Sequence, residues 1–245
     1  MTKIGILGAA GRMGRAVAEV AAELGGEVVG GIDRQGAVMG GFSDANTLAD
    51  ASDVLIDFSV PNALTDHLDA ARRYGRPLVV GTTGLGEEHQ ALIDTAATQI
   101  AVLQSANMSL GVNVLAALVE QAAARLGPDW DIEVVEMHHR HKVDAPSGTA
   151  LMLGRAAAQG RGHALDAPVH DRNGKRVEGT IGFASLRGGS VAGDHMVVLA
   201  SEGERIELGH RAESRAIFAR GAVKAALWLS GRPVGRYTMA DVLSL

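Results

Sequence analysis

The stretch EMHHRHKVDAPSGTA, from Glu136 to Ala150, sets His138, His139, Arg140, His141 and Lys142 side by side and then turns through Pro146 and Gly148. Three kinds of chemistry fit such a run. The plainest is a solvated charge run with no ligand at all. The second is a metal: His138, His139 and His141 with Glu136 offer enough nitrogen and oxygen donors for zinc. Adjacent residues of an extended strand point to opposite faces, however, and cannot readily share one ion. The third is an anion site with proton donors and no metal. Lys142 and the histidines supply cations and transferable protons, while APSGT supplies small residues and backbone amides opening a helix at Ser147. That combination suits a small substrate carrying carboxylates.

A second constellation lies near the start. Gly8, Gly11 and Gly14 follow a strand-like run and lead into a helical one, so that Gly8, Ala9, Ala10, Gly11, Arg12 and Met13 form a turn with bare backbone amides at a helix start. Such a turn receives a pyrophosphate, although glycine turns also serve close helix packing. Asp33 ends the next strand about 20 residues further on, where an acid commonly holds the adenosine ribose hydroxyls. Arg12 and Arg34 face either a ribose phosphate or solvent; if they engage phosphate, NADPH is tolerated beside NADH. Two further loops, GTTG (Gly81, Thr82, Thr83, Gly84) and SANMS (Ser105, Ala106, Asn107, Met108, Ser109), end apolar runs. Ligands of open α/β sheets bind at the carboxyl ends of strands, so these loops would flank a nicotinamide, or else are ordinary loops.

The elements that must position these residues are readable from periodicity. Thr2 to Leu7, Glu27 to Ile32, and the runs DVLIDFS, RPLVVGTTG and IAVLQSAN alternate with helical patterns at Arg12 to Leu24, Asn62 to Tyr74 and Glu87 to Gln99. That alternation predicts a parallel sheet wrapped by helices. After Asn107 a long apolar helix, Leu110 to Leu126, precedes the strand-like DIEVVEMHH, and a helix follows over Ser147 to Gln159. Thr180 to His210 alternates short apolar strands with glycine turns, which predicts antiparallel or mixed sheet. Ser214 to Leu229 is helical again and is expected to pack back on the first domain. Gly160 to Gly174 is polar and aperiodic, and is expected to be mobile.

Composition narrows the function classes. The 47% apolar content of 245 residues supports a buried core. A net charge of -5 with only 3% aromatics argues against a nucleic-acid surface. With no cysteine there are neither disulfides nor thiolate metal sites. No secretion signal precedes the strand-like IGIL, and no run nears the roughly eighteen apolar residues of a membrane span. A cytoplasmic protein is expected.

Taken together, GAAGRMG, DVLIDFS, VGTTG, SANMSLGVN, EMHHRHKVDAPSGTA, GTIGFASLRGG and ALWLSG resemble the 4-hydroxy-tetrahydrodipicolinate reductase family, historically called dihydrodipicolinate reductase. The resemblance covers nearly the whole chain, and its most specific element is the HHRHKxDAPSGTA block. It implies a Rossmann-type doubly wound parallel sheet with a second α+β domain, and an NAD(P)H-dependent reduction in the diaminopimelate route to lysine, usually by a cytoplasmic homotetramer. It implies His138 as proton donor or acceptor and Lys142 as second proton donor. His139 and Thr83 resemble substrate contacts, and Gly148 and Thr149 the carboxylate loop. Gly8 to Met13, Asp33, Arg34, Gly81 to Thr83 and Ser105 to Met108 resemble the cofactor contacts. Leu85 and Met108 depart from the family pattern, which has phenylalanine at both places in many members, so packing around the nicotinamide is expected to differ. The domains are expected at 1–108 for the dinucleotide and 109–211 for substrate and oligomerisation. Residues 212–245 would form a C-terminal helix returning to the first domain.

Overall fold

A computed structural model describes residues 1–166 and 168–245. In chain order the first elements are β1 (Thr2–Leu7), α1 (Arg12–Ala21), β2 (Gly26–Asp33), β3 (Gly36–Met39), α2 (Ala45–Ala51), β4 (Val54–Asp57) and α3 (Leu64–Arg73). Next come β5 (Leu78–Val80), α4 (Glu87–Ala96), β6 (Ala101–Gln104), α5 (Leu110–Leu126), β7 (Asp131–His138) and α6 (Gly148–Gly160). The remainder is β8 (Ile181–Arg187), β9 (Gly193–Ser201), β10 (Glu204–Ala212), α7 (Ala216–Leu229), β11 (Gly235–Tyr237) and α8 (Met239–Leu243). The chain divides into two units: Met1–Leu110 with Ala216–Leu245, and Gly111–Arg215.

In the first unit the strands lie in the order β11-β6-β5-β4-β1-β2-β3, all parallel except β3, which returns antiparallel on β2. The reason is visible in β1 and β4. Ile4, Ile6, Val54 and Ile56 point to one face, where α1 and α7 bring Val17, Ala222 and Val223. Leu7 and Leu55 point to the other, where α2, α3 and α4 bring Leu48, Leu68 and Ile93. A strand apolar on both faces needs helices on both, and that is the doubly wound plan. Because β1 is flanked by β2 on one side and β4 on the other, the strand order reverses there. The carboxyl ends of β1 and β4 therefore open a crevice at the switch point.

In the second unit the order is β10-β9-β7-β8, with β7 and β8 parallel and β9 antiparallel to both β7 and β10. Helices α5 and α6 cover the face that carries Ile132, Val134, Val197 and Leu199. The opposite face carries Val135, Met137, Ala184, Leu186, Met196 and Val198, all half-buried or exposed. The fold class expected from the sequence is thus observed, a Rossmann-like sheet with a second, mixed-sheet unit. Four elements were not anticipated: β3, α2, β11 and α8. Of the expected mobile stretch Gly160 to Gly174, Ala167 lies outside the described residues, while the first residue ends α6 and Val169 bridges to Gly182. Among the described residues no helix is long and apolar enough to cross a membrane.

Candidate active site

β1 delivers the chain into Gly8, whose φ of +83° only glycine adopts easily, and a Cβ there would lie 2.5 Å from the Phe58 carbonyl oxygen. A Cβ on Gly14 would collide with the Gly8 carbonyl, and one on Gly11 would press it at 3.1 Å. The turn thus folds on itself only with hydrogens at these places. Gly8 and Ala9 donate their N–H groups to the Ile32 carbonyl, each at 3.0 Å. Ala10 N–H donates to Asp33 Oδ2 at 3.1 Å, and Arg34 N–H to Asp33 Oδ1 at 2.8 Å. The N-cap of α1 is Gly11, with no side-chain cap and no acid in the first turn. Ala10, Gly11 and Arg12 are exposed. Uncapped amides at a positive helix end, beside a half-exposed carboxylate, fit a dinucleotide's pyrophosphate and ribose.

Periodicity gave no sign of what lies at the end of β4. Asp57 is fully buried, and its Oδ1 accepts from Ser59 N at 2.8 Å, Ser59 Oγ at 2.6 Å and Thr82 Oγ1 at 2.9 Å. Its Oδ2 meets His67 Nδ1 at 2.8 Å. Burial opposes ionisation, but the bonds from His67 and Ser59 outweigh it and hold the carboxyl below its usual range. The group ties the ends of β4 and β5 together. The Thr82 hydroxyl is spent on it, which leaves the Thr82 backbone as what a ligand could use. Thr83 and Gly84 are exposed and Gly81 is buried.

The loop after β6 braces itself. Ser105 Oγ donates to the Asn107 carbonyl at 2.8 Å, and Asn107 Oδ1 accepts from Ser109 N at 2.9 Å. Ala106 is exposed, but Met108 is only 2% exposed and sits in the core against α7. As a cofactor contact it can therefore offer backbone, not side chain. Leu85 is half-buried against the other core face.

In the second unit the alternation of β7 that sends Ile132 and Val134 inward also sends Glu136 and His138 to that face. Glu136 is 1% exposed. Arg187 of β8 grips it with two bonds of 2.9 Å, Ser147 N–H reaches Oε1 at 3.3 Å, and His138 Nδ1 lies 2.5 Å from Oε2. Burial raises this carboxyl, yet the Arg187, Ser185 and His138 hydrogen bonds prevail and hold it at about 2. His195 of β9, paired with Glu136 across the sheet, lies edge-on to His138 with ring centres 5.0 Å apart. Burial first, then the neighbouring His138, pushes His195 down to about 4. It is neutral at physiological pH, and its Nε2 lies 3.0 Å from Ser147 Oγ. Ser147 in turn caps α6, accepting from Ala150 N–H at 3.1 Å.

The other cluster residues stand apart from this group. His139 lies just past β7, with Nε2 3.2 Å from the Arg215 guanidinium; burial, then Arg215, lowers its pKa. The Lys142 ammonium bonds both Asp144 oxygens, at 2.7 and 2.8 Å, and this holds the Asp144 carboxyl low. Arg140 and His141 are exposed. Gly148 and Thr149 form the first turn of α6, with open space where a Gly148 side chain would stand. His138 and His139 thus have separate sets of partners. Among the described residues no three His, Asp or Glu side chains are grouped to hold a metal ion. The sequence reading missed Glu136 as a carboxylate partner, along with Arg187, His195 and Ser185. The one signal available was period two, which links Glu136 to His138 but not to the strands beside them.

The model of the dihydrodipicolinate reductase N-terminus matches residues 2–108, and the model of its C-terminus matches residues 111–243. The chain belongs to this family. Among its relatives, 4-hydroxy-tetrahydrodipicolinate reductase of Zymomonas mobilis subsp. mobilis is 63% identical over 99% of this chain and 97% of its own length. The protein of the same name from Parvibaculum lavamentivorans is 50% identical over 99% and 98%. A solved dihydrodipicolinate reductase of Paenisporosarcina sp. TG-14 with dipicolinate bound shares the fold at a TM-score of 0.80 and 21% identity, covering 98% of each chain. The WlbA dehydrogenase of Thermus thermophilus, solved with NAD and UDP-GlcNAcA, aligns at a TM-score of 0.57 and 14% identity over 96% and 97%.

Proposed function

We infer that the protein catalyses the nicotinamide-dependent reduction of 4-hydroxy-tetrahydrodipicolinate to tetrahydrodipicolinate, in the diaminopimelate route to lysine. The observation that carries this is the 63% identity to a reductase of that name over 99% of the chain. Overall the substrate gains one hydride and one proton and loses its 4-hydroxyl as water. A nicotinamide, when bound, supplies the hydride; the chain must hold the cofactor, neutralise two carboxylates and deliver a proton.

The first unit is the dinucleotide-binding part. The turn of Gly8, Ala9, Ala10, Gly11, Arg12 and Met13 seats the pyrophosphate: the first four residues shape it by spending their N–H groups on Ile32, Asp33 and Gly8, the amides of Arg12 and Met13 at the start of α1 donate to the phosphates, and Asp33 accepts from ribose hydroxyls. Gly81, Thr82 and Thr83 with Ser105, Ala106, Asn107 and Met108 flank the nicotinamide. Arg34 and Arg12 offset a ribose phosphate, so NADH and NADPH are both used. The second unit binds substrate. Gly148 and Thr149 offer amides at the start of α6 to one carboxylate, His139 adds a contact, and Lys142 exchanges Asp144 for a substrate carboxylate and acts as second proton donor. His138 is the main proton carrier. Support for that role comes from its single buried carboxylate partner and its place on a rigid strand end. Charge complementarity between this cluster and a dicarboxylate supports the substrate class.

The apolar sheet face of Val135, Met137, Leu186, Met196 and Val198 is covered by equivalent strands of other copies, in a homotetramer of the cytoplasm. A coupled assay tests the activity: substrate is made enzymatically from pyruvate and aspartate semialdehyde, and NAD(P)H consumption is followed. Consumption that depends on both precursors is expected, and its absence with either cofactor would refute the assignment.

A further inference from the structure

We propose that Glu136 is a positioning residue that fixes the tautomer of His138, keeping a proton on Nδ1 and leaving Nε2 as the one ring nitrogen that exchanges a proton with substrate. The proposal rests on the reading of His138 as proton carrier. Its basis is a count of donors around one carboxylate. Arg187 brings two N–H groups at 2.9 Å and Ser147 a backbone N–H at 3.3 Å. All of these donate, and none can accept in return while so engaged, so the carboxylate carries no proton and its short contact to His138 must be filled from the ring. The proton therefore sits on Nδ1.

Two further features serve the same end. Arg187 cannot swing away, because its two terminal nitrogens also bond the carbonyls of Leu186 and Asp144, and it faces His138 in the β7–β8 register. When the Nε2–H bond breaks, its electron pair stays on the ring and the proton joins the substrate. The ring loses its charge, but Glu136 keeps the guanidinium and is never left as a lone buried anion. On the far side of the ring, a Cβ on Gly193 would lie 3.0 Å from His138 Nε2, so glycine there leaves that nitrogen clear.

The test replaces Glu136 with an amide of the same shape. In Glu136→Gln the NH2 group faces two donors, Arg187 and Ser147, if it takes the Oε1 position. It faces only one, with a ring nitrogen free to accept, if it takes the Oε2 position beside His138. The second arrangement is less costly, and it forces Nδ1 to accept and moves the neutral ring's proton to Nε2. Nitrogen-15 NMR of ring-labelled protein, with the His138 signals assigned by their loss in His138→Asn, reads this directly. The neutral wild-type ring is expected protonated at Nδ1 and that of Glu136→Gln at Nε2. Turnover should fall about 100-fold or more, with NAD(P)H affinity measured by fluorescence unchanged. A wild-type ring protonated at Nε2 overturns the proposal without any variant, should Glu136→Gln fail to fold. So does a tautomer that Glu136→Gln leaves unchanged. A tautomer that moves while turnover stays normal would instead sink the reading of His138 as proton carrier, and the catalytic half of this proposal with it.

Discussion

At Lys142 the ammonium is paired with a carboxylate of its own loop, 2.7 Å away and 56% exposed, so a substrate carboxylate can displace it without unburying a charge. Replacing Lys142 with alanine should lower turnover by at least about 100-fold, the low end for a positioned acid, while NAD(P)H titrations stay normal. His138→Ala should act on kcat and His139→Ala on KM, since the two rings have separate partners; Arg140→Ala and His141→Ala should cost less than either. Buried Glu136 and His195 also set an acid limit on stability. Glu136 is held at about 2 against an ordinary 4.5, so its contribution is complete above 4.5 and is lost as pH falls from there towards 2. His195 is held at about 4 against 6.5, so the fold favours the neutral ring; that contribution is complete above 6.5 and lost as pH falls towards 4. Both shifts have the same sign, and the histidine step comes first. Urea midpoints measured across pH should decline between 6.5 and 4, and His195→Asn should flatten that decline; an unchanged slope would refute the assignment. The cluster itself was legible because the apolar alternation of β7 gives way, from His138 on, to five polar residues in succession. Its partners were not: Arg187 lies 51 positions from Glu136 and Ser147 lies 48 from His195, and no local pattern says which strands will pair.

Among the elements, those that bury both faces of a sheet announced themselves, since β1, β4, β5 and β6 are short runs of Ile, Leu and Val between glycine or polar residues. The missed ones bury little. Strand β3 is GAVM, half of it exposed, and β11 has three residues, none buried. Helix α2 is seven residues long and owes its start to Asp44, which accepts from Thr47 N–H at 2.9 Å, a capping signal that lay unused in FSDANT. At this scale two substitutions are informative. Ser147→Ala removes the cap of α6 and the partner of His195 together; it should cost about 1 kcal/mol in unfolding measurements and raise KM for the dicarboxylate. Gly8→Ala should abolish NAD(P)H binding in fluorescence titrations, because the added methyl would meet the Phe58 carbonyl at 2.5 Å in a backbone conformation it disfavours. Retention of normal cofactor affinity would show that the turn does not hold the cofactor.

For the molecule as a whole, the mass in solution should exceed the 25.3 kDa of one chain, and Leu186→Asp, on the open sheet face and 51% exposed, should reduce it. A monomer at micromolar concentration would leave that face without its proposed cover. NADH and NADPH should bind within about tenfold of each other, measured by fluorescence; failure of either to bind would remove the proposed roles of Asp33 and Arg34. The route of the chain has a further consequence. It leaves the first unit after Leu110 and returns at Ala216, where α7 packs on β4, β5, β6 and α1 and β11 adds to β6. On the ribosome, then, the first six strands emerge with no α7 to cover Val54, Ile56, Val79 and Leu103, and they wait while the whole insertion is synthesised. At roughly 5–20 residues per second that interval is on the order of ten seconds. The inserted unit can finish folding before its host does, and a nascent chain stalled short of Ala216 should bind a general holding chaperone that the completed protein ignores.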